Sequence, residues 1–370
     1  MSPRPLVGEA WVRGQEVRQL FLERCEGGRR AQDRTMLNCN RKHHGLKITG
    51  TLLFCLLVLV DDRIGGTAGG VAHAQRMRIS VTSSIDGTSQ PSYLILPKDP
   101  DPGSTPVPLL VSLHTWSADV EQRNRELERL AVQNGWIYLF PHFRGPNQHP
   151  DACGSVKAQQ DILDAVDWVQ KRYSVDPRRI YLTGVSGGGH MTMLMVGRHP
   201  ERWAAASAWV GISDLASWHA IHEDTRYGDM LRASCGGRPG DSPEVDAQYR
   251  LRSPLTHLHA AGNVPLDLAA GIHDGHRGSV PIRHTLDAFN VIARALGQTP
   301  VSEDEIRQLS RPDGRLDQPQ ASDRVEDAVL GRKIHLRRYA GPSRVTIFEG
   351  GHEGIAAAAV DWLKRHVKEP

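Results

Sequence analysis

Cysteine is scarce in this chain of 370 residues, and it is unevenly placed. Cys25, Cys39 and Cys55 precede residue 74, which leaves Cys153 and Cys235 for everything that follows. Neither a C-x-x-C nor an H-E-x-x-H spacing occurs, so no metal site is signalled, and His257-x-His259 reads as a turn with two polar side chains. No cofactor is implied. The apolar run at residues 48–60, "ITGTLLFCLLVLV", is thirteen residues long. A bilayer-spanning helix needs ~20, so no stable membrane span is expected. Charge is lacking in either direction. A formal net charge of +3 leaves no electrostatic footprint for nucleic acid. Internal repeats and coiled-coil heptads are also missing.

What charge there is lies at one end. Residues 1–74 hold eleven Lys/Arg against seven Asp/Glu, a surplus of four that leaves the rest of the chain at about −1. The same segment has an export pattern: basic "RKHHGLK" (41–47), the apolar run, then "AHAQ" (72–75) with a small-x-small cleavage site after Ala74. Initiation at Met36 would give a basic leader of ordinary length. A short anchor or a buried helix is the alternative. The expectation is therefore a removed N-terminal extension over 1–74 and a secreted or periplasmic mature chain over 75–370. In an oxidising compartment Cys153 and Cys235 are a disulfide candidate, with two separate buried thiols as the alternative.

Beyond residue 75, short apolar runs alternate with segments of helical period. "MRISVTSS" (77–84) and "PSYLILP" (91–97) flank Asp86-Gly87, a hairpin signal. "PLLVSLH", "WIYLFP", "RIYLTGVS", "AAASAWVG", "PLDLAAGIHD" and "RVTIFEGG" read as strands. Helices are expected over 119–135, 155–173, 281–296 and up to Val367. Such alternation implies a mostly parallel, doubly wound sheet with helices on both faces. Two stretches interrupt it, 213–262 and 297–342, and both are expected as insertions above the sheet. Ser302 and Glu305 in the second are spaced as a helix-capping box.

The stretch "IYLTGVSGGGH" (180–190) sets Ser186 among glycines between a strand and a helix. Gly184-x-Ser186-x-Gly188 fits the tight elbow that exposes a nucleophilic serine. A serine hydroxyl needs a base, and the base needs a carboxylate. "GIHDGHRGSVP" puts Asp274 directly after a strand, and "FEGGHEG" puts His352 in a glycine-bounded loop after the last strand. Spacings of 88 and 78 residues leave room for the intervening elements, and the order Ser, Asp, His is that of α/β-hydrolases. Asp214 and Asp267 are rival acids; Asp214 reads more naturally as a helix cap. His190, on the elbow helix, reads as a packing residue. For the oxyanion, one donor is expected at the Gly187 amide. The other is expected in the loop after "LLVSLH", where Thr115 and Trp116 stand, with the Trp116 amide favoured.

The motifs "LHTWS", "DILDAVDWVQKRYSVDPRRIYLTGVSGGGHM", "GIHDGHRGSVPIRH" and "FEGGHEG" together resemble the catalytic domain of prolyl-oligopeptidase-family serine peptidases. They are also similar to the related single-domain esterases. The resemblance covers roughly residues 90–365 and implies an α/β-hydrolase fold with Ser186, Asp274 and His352 as triad. Two departures stand out. A gating β-propeller has no room in residues 75–370, and the acid loop D-G-H-R-G-S-V-P is longer than the usual D-x-x-V-P. Three readings are open: hydrolysis of small peptides; hydrolysis of acyl esters, including acylated carbohydrate, with Trp116, Trp209 and Trp218 available for stacking; or a hydrolase-like binding protein without catalysis.

Overall fold

The computed structural model describes residues 75–97 and 105–369. The leader pattern, the start at Met36 and the cleavage after Ala74 lie outside the described residues. Strands β1 (Arg76–Thr82) and β2 (Ser89–Ile95) form the expected antiparallel hairpin, closed by Gly87 at φ 69°. Six more strands follow the apolar runs: β3 (Val107–Leu113), β4 (Ile137–Pro141), β5 (Val175–Val185), β6 (Ala205–Trp209), β7 (Leu266–Gly271) and β9 (Ser343–Phe348). With β8 (Ile334–Ala340) they make one sheet in the order β1-β2-β4-β3-β5-β6-β7-β9-β8. Pairing is parallel from β4 to β9 and antiparallel at both ends.

The central strands are buried along almost their whole length because both faces are covered. Helices α2 (Val156–Gln170), α3 (Gly187–Arg198) and α7 (Arg283–Ala295) cover one face. On the other, α1 (Arg125–Gln133) packs with α9 (Ala356–Leu363) around Leu127, Ala131, Val360 and Trp362. Helix α1 starts six residues later than its expected range, since the Asn124 side chain accepts from Leu127 N–H at 3.1 Å and caps it there. The order of winding reverses between the parallel strands β3, whose successor lies on one side, and β5, whose successor lies on the other. The carboxyl ends at such a switch point leave a crevice, and here those ends carry Thr115, Trp116 and Ser186.

After β6 the chain leaves the sheet for α4 (Leu215–His222), α5 (Arg226–Cys235) and α6 (Pro243–Arg252). These enclose a separate apolar cluster of Trp116, Ile212, Leu215, Trp218, Leu231 and Tyr249. In the second interruption α8 (Glu303–Leu309) carries the expected capping box: Glu305 N–H donates to Ser302 Oγ at 3.2 Å, and Ser302 N–H to Glu305 Oε2 at 2.9 Å. The end of that stretch departs from expectation, because Ile334–Ala340 is not an excursion but the edge strand β8, antiparallel to β9. Its polar look comes from Arg337 and Arg338. The first pairs with Asp327 at 3.0 Å, the second with Glu305 at 2.7 Å and with Asp323. Burying a charge requires such partners, and they come from outside the strand.

Candidate active site

Ser186 joins β5 to α3 with φ 59° and ψ −117°, a region where a non-glycine residue is strained by about 1–3 kcal/mol. Hydrogen bonds hold it there: Ser186 N–H donates to Trp209 O, and His190 N–H to Ser186 O, both at 2.8 Å. The neighbouring glycines are dictated by close approach. A Cβ on Gly184 would stand 2.3 Å from the carbonyl carbon of Gly188, and one on Gly187 would stand 2.3 Å from the amide nitrogen of Trp116. Any side chain at either position would push the elbow off the sheet.

Asp274 follows β7 and is 2% exposed. Its Oδ1 accepts from Gly275 N–H at 3.0 Å and Val280 N–H at 3.1 Å, and its Oδ2 accepts from His352 Nδ1 at 2.7 Å. A carboxylate can only accept, so the proton lies on Nδ1 and the His352 Nε2 keeps its lone pair. Two residues beyond His352 the chain meets the elbow. A Cβ on Gly354 would stand 2.6 Å from Val185 Cγ2, directly before Ser186. The long acid loop is gripped from the helical excursion, where Trp218 Nε1 and His222 Nε2 each donate to Ser279 O at 2.7 Å.

The rivals are occupied elsewhere. Asp214 caps α4, its Oδ1 accepting from Ala216 N–H at 2.9 Å. Asp267 is buried within β7 against Arg344 at 2.7 Å and Ser207 Oγ at 3.0 Å. His190 donates to Arg252 O at 2.8 Å, and burial pulls its pKa down to about 4.

The two oxyanion positions after β3 differ. Thr115 N–H donates to the side-chain Oε1 of Gln122 at 2.8 Å, so it is engaged within its own loop. The Trp116 amide instead lies against Gly187. Gln122 carried no sequence signal, being one polar residue in a stretch that looked helical. The tryptophans do not match the stacking expectation: Trp116, Trp209 and Trp218 are each 2% exposed or less. Trp116 and Trp218 meet edge to face at 4.7 Å inside the excursion's core, and Trp209 Nε1 donates to Ser207 Oγ at 2.8 Å within β6. A cavity of about 50 Å³ does adjoin the elbow, lined by Thr115, Gln122, Val185, Trp209, Gly354 and Ile355.

Cys153 and Cys235 are both buried and carry free thiols. They share the excursion's apolar cluster, where a hydrogen bond with Cys153 and then burial push the Cys235 thiol up. Among the described residues no group of three or more His, Cys, Asp or Glu could hold a metal ion, and no helix is long and apolar enough to cross a membrane.

The sheet order, the serine elbow and the comparisons together give the chain the fold of the α/β-hydrolase class. Within that class the resemblance to prolyl oligopeptidases holds: residues 125–299, which include Ser186 and Asp274, match the prolyl oligopeptidase family. The chain is 24% identical over 200 residues to acetylxylan esterase A of Aspergillus ficuum, covering 50% of this chain and 62% of that protein. It is 28% identical over 187 residues to feruloyl esterase B of Thermothelomyces thermophilus, covering 44% and 64%. The chain thus spans less than two thirds of the length of either of these curated relatives. In fold it is similar to S-formylglutathione hydrolase of Staphylococcus aureus, with TM-score 0.53, 15% identity, and 79% and 99% of the two chains covered. It is also similar to acylaminoacyl peptidase of Pyrococcus horikoshii, with TM-score 0.51, 19% identity, and 61% and 36% covered.

Proposed function

We propose that this protein hydrolyses carboxylic esters through an acyl-enzyme on Ser186, acting on short acyl groups carried by carbohydrate. The observation that carries this reading is the hydrogen bond from His352 to the buried Asp274 carboxylate, beside a strained serine elbow. In the proposed reaction His352 Nε2 takes the Ser186 proton as Oγ attacks the carbonyl carbon. The amides of Gly187 and Trp116 stabilise the oxyanion. The ester C–O bond then breaks as the imidazolium returns its proton to the departing alkoxide. Water, activated by the same nitrogen, releases the acid and restores the serine. Asp274 holds the tautomer throughout.

Short acyl groups are favoured by the burial of Trp116, Trp209 and Trp218, which leaves none of the three exposed to stack on an aromatic acyl group. The names of the curated relatives point to acylated sugars. A second reading, hydrolysis of small peptides, is favoured by the prolyl oligopeptidase match. Amide hydrolysis asks more of a site, since the amine must be protonated as it leaves and the peptide held in register. One panel on one preparation separates the two: acetylated and feruloylated sugars, p-nitrophenyl esters, and chromogenic peptides with proline before the scissile bond. The expected order of kcat/KM is acetyl above feruloyl above peptide. Peptides ahead of every ester would make the protein a peptidase.

Export is part of the proposal, and with it a bridge between Cys153 and Cys235. Both thiols would be oxidised by the disulfide-exchange catalysts of an extracytoplasmic compartment, losing two protons and two electrons. Closing a loop of about 80 residues stabilises by about 4 kcal/mol in the chain-entropy model. Mass spectrometry of unreduced, exported protein should find the two peptides linked, with Tm falling on reduction. Two freely alkylated thiols in that material would reject the bridge.

A further inference from the structure

The loop that carries His352 has little of its own to hold it still. Residues 349–354 read Glu-Gly-Gly-His-Glu-Gly, and glycine has the most backbone freedom to lose on ordering. Main-chain bonds fasten its start. Ile272 N–H donates to Phe348 O at 2.8 Å, His273 N–H to Gly350 O at 3.0 Å, and Glu349 N–H to Lys333 O at 2.8 Å. One side chain adds a different kind of fastening. Glu349 Oε1 accepts from His273 Nε2 at 2.7 Å, and its Oε2 accepts from His335 Nε2 at 2.9 Å. His273 directly precedes Asp274, His335 lies on β8, and Glu349 stands three residues before His352. A single carboxylate thus joins the acid loop, the base loop and the edge strand.

We propose that Glu349 is a positioning residue: gripped by His273 and His335, it holds the acid and base loops in the register in which Asp274 meets His352. This rests on the reading of Ser186, Asp274 and His352 as the catalytic triad. Among the described residues, the titratable groups facing Glu349 are His273 from the acid loop and His335 from β8. Lys333 offers its backbone carbonyl, and Arg332 pairs with Glu353 at 3.6 Å. The hydrogen bonds from His335 and His273 hold the Glu349 carboxyl below its ordinary pKa. It therefore stays an ionised acceptor. An ionised carboxylate accepts from neutral and protonated histidine alike, so the grip survives protonation of both.

An amide cannot do this. In Glu349→Gln one histidine can donate to the amide oxygen, while the amide NH2 only donates. A neutral second histidine adapts by moving its proton to Nδ1. A protonated one has no acceptor to offer, and two donors then face each other.

The test is kcat and KM for p-nitrophenyl acetate from pH 5.5 to 8.5 on the intact protein. E349Q should stay within about threefold of wild type at pH 8.5 and fall about a further tenfold at pH 5.5, with KM within about twofold; sub-ångström misplacement acts on kcat in this way. Its acid limb should steepen from one proton to two. His273 is partly exposed, so His273→Ala gives a second variant expected to fold; kcat about threefold lower is expected, with activity restored in His273→Gln, whose amide still donates. An E349Q profile parallel to wild type at every pH, or equal activity of H273A and H273Q, would overturn the proposal. Failure of the triad reading shows separately, as wild-type protein that a fluorophosphonate does not label at Ser186.

Discussion

Replacing Ser186 with alanine is expected to reduce ester turnover on the order of a million-fold, the scale seen when the serine of a triad is removed. The variant should fold. Alanine at φ 59° bears the same backbone strain as serine, and the two hydrogen bonds that hold the elbow come from main-chain atoms. A fluorophosphonate should label the wild-type protein at Ser186 and leave the variant unlabelled. Equal labelling of both would move the nucleophile elsewhere and remove the meaning of the glycine pattern around it.

Asp274→Asn is expected to lower kcat on the order of ten-thousand-fold. Asparagine can keep the bonds that Oδ1 accepts from Gly275 and Val280. Its amide nitrogen would then face His352 Nδ1 and force the proton onto Nε2, so the nitrogen meant to act as base could no longer accept one. Asp214→Asn is the control, because asparagine caps a helix about as well as aspartate. It should change kcat by less than about twofold. Circular dichroism at matched concentration checks that both variants fold. Loss at Asp214 with activity kept at Asp274 would assign the acid to the end of β6.

Much of the fold was legible because its signals are local. The runs that became β3, β4, β6 and β7 are mostly apolar, as strands covered on both faces tend to be, with Ser112, Ser207 and Asp267 as their polar exceptions. Asp86-Gly87 announced its hairpin and Ser302-x-x-Glu305 its cap, each within a few residues. The miss at β8 has the opposite cause. Arg337 and Arg338 made an edge strand look like a loop, and the acids that neutralise them lie 10 to 33 residues earlier in the chain.

The candidate site divides along the same line. By itself the sequence signalled the elbow through its glycine spacing; Gly184 answers to Gly188 within the turn, while Gly187 and Gly188 answer to the backbone of Trp116 and Leu113 about 70 residues earlier. It also determined that an aspartate and a histidine follow in the α/β-hydrolase order. Only the tertiary structure decided which aspartate meets His352, because that hydrogen bond spans 78 residues and depends on β7 and β9 lying side by side. Tertiary packing likewise turned Thr115 N–H towards Gln122, buried Trp116 and Trp218 against each other, and set Glu349 between His273 and His335. A residue's neighbours along the chain decide its backbone conformation. Its hydrogen-bond partner and its exposure to solvent depend on which distant segments the sheet order brings beside it.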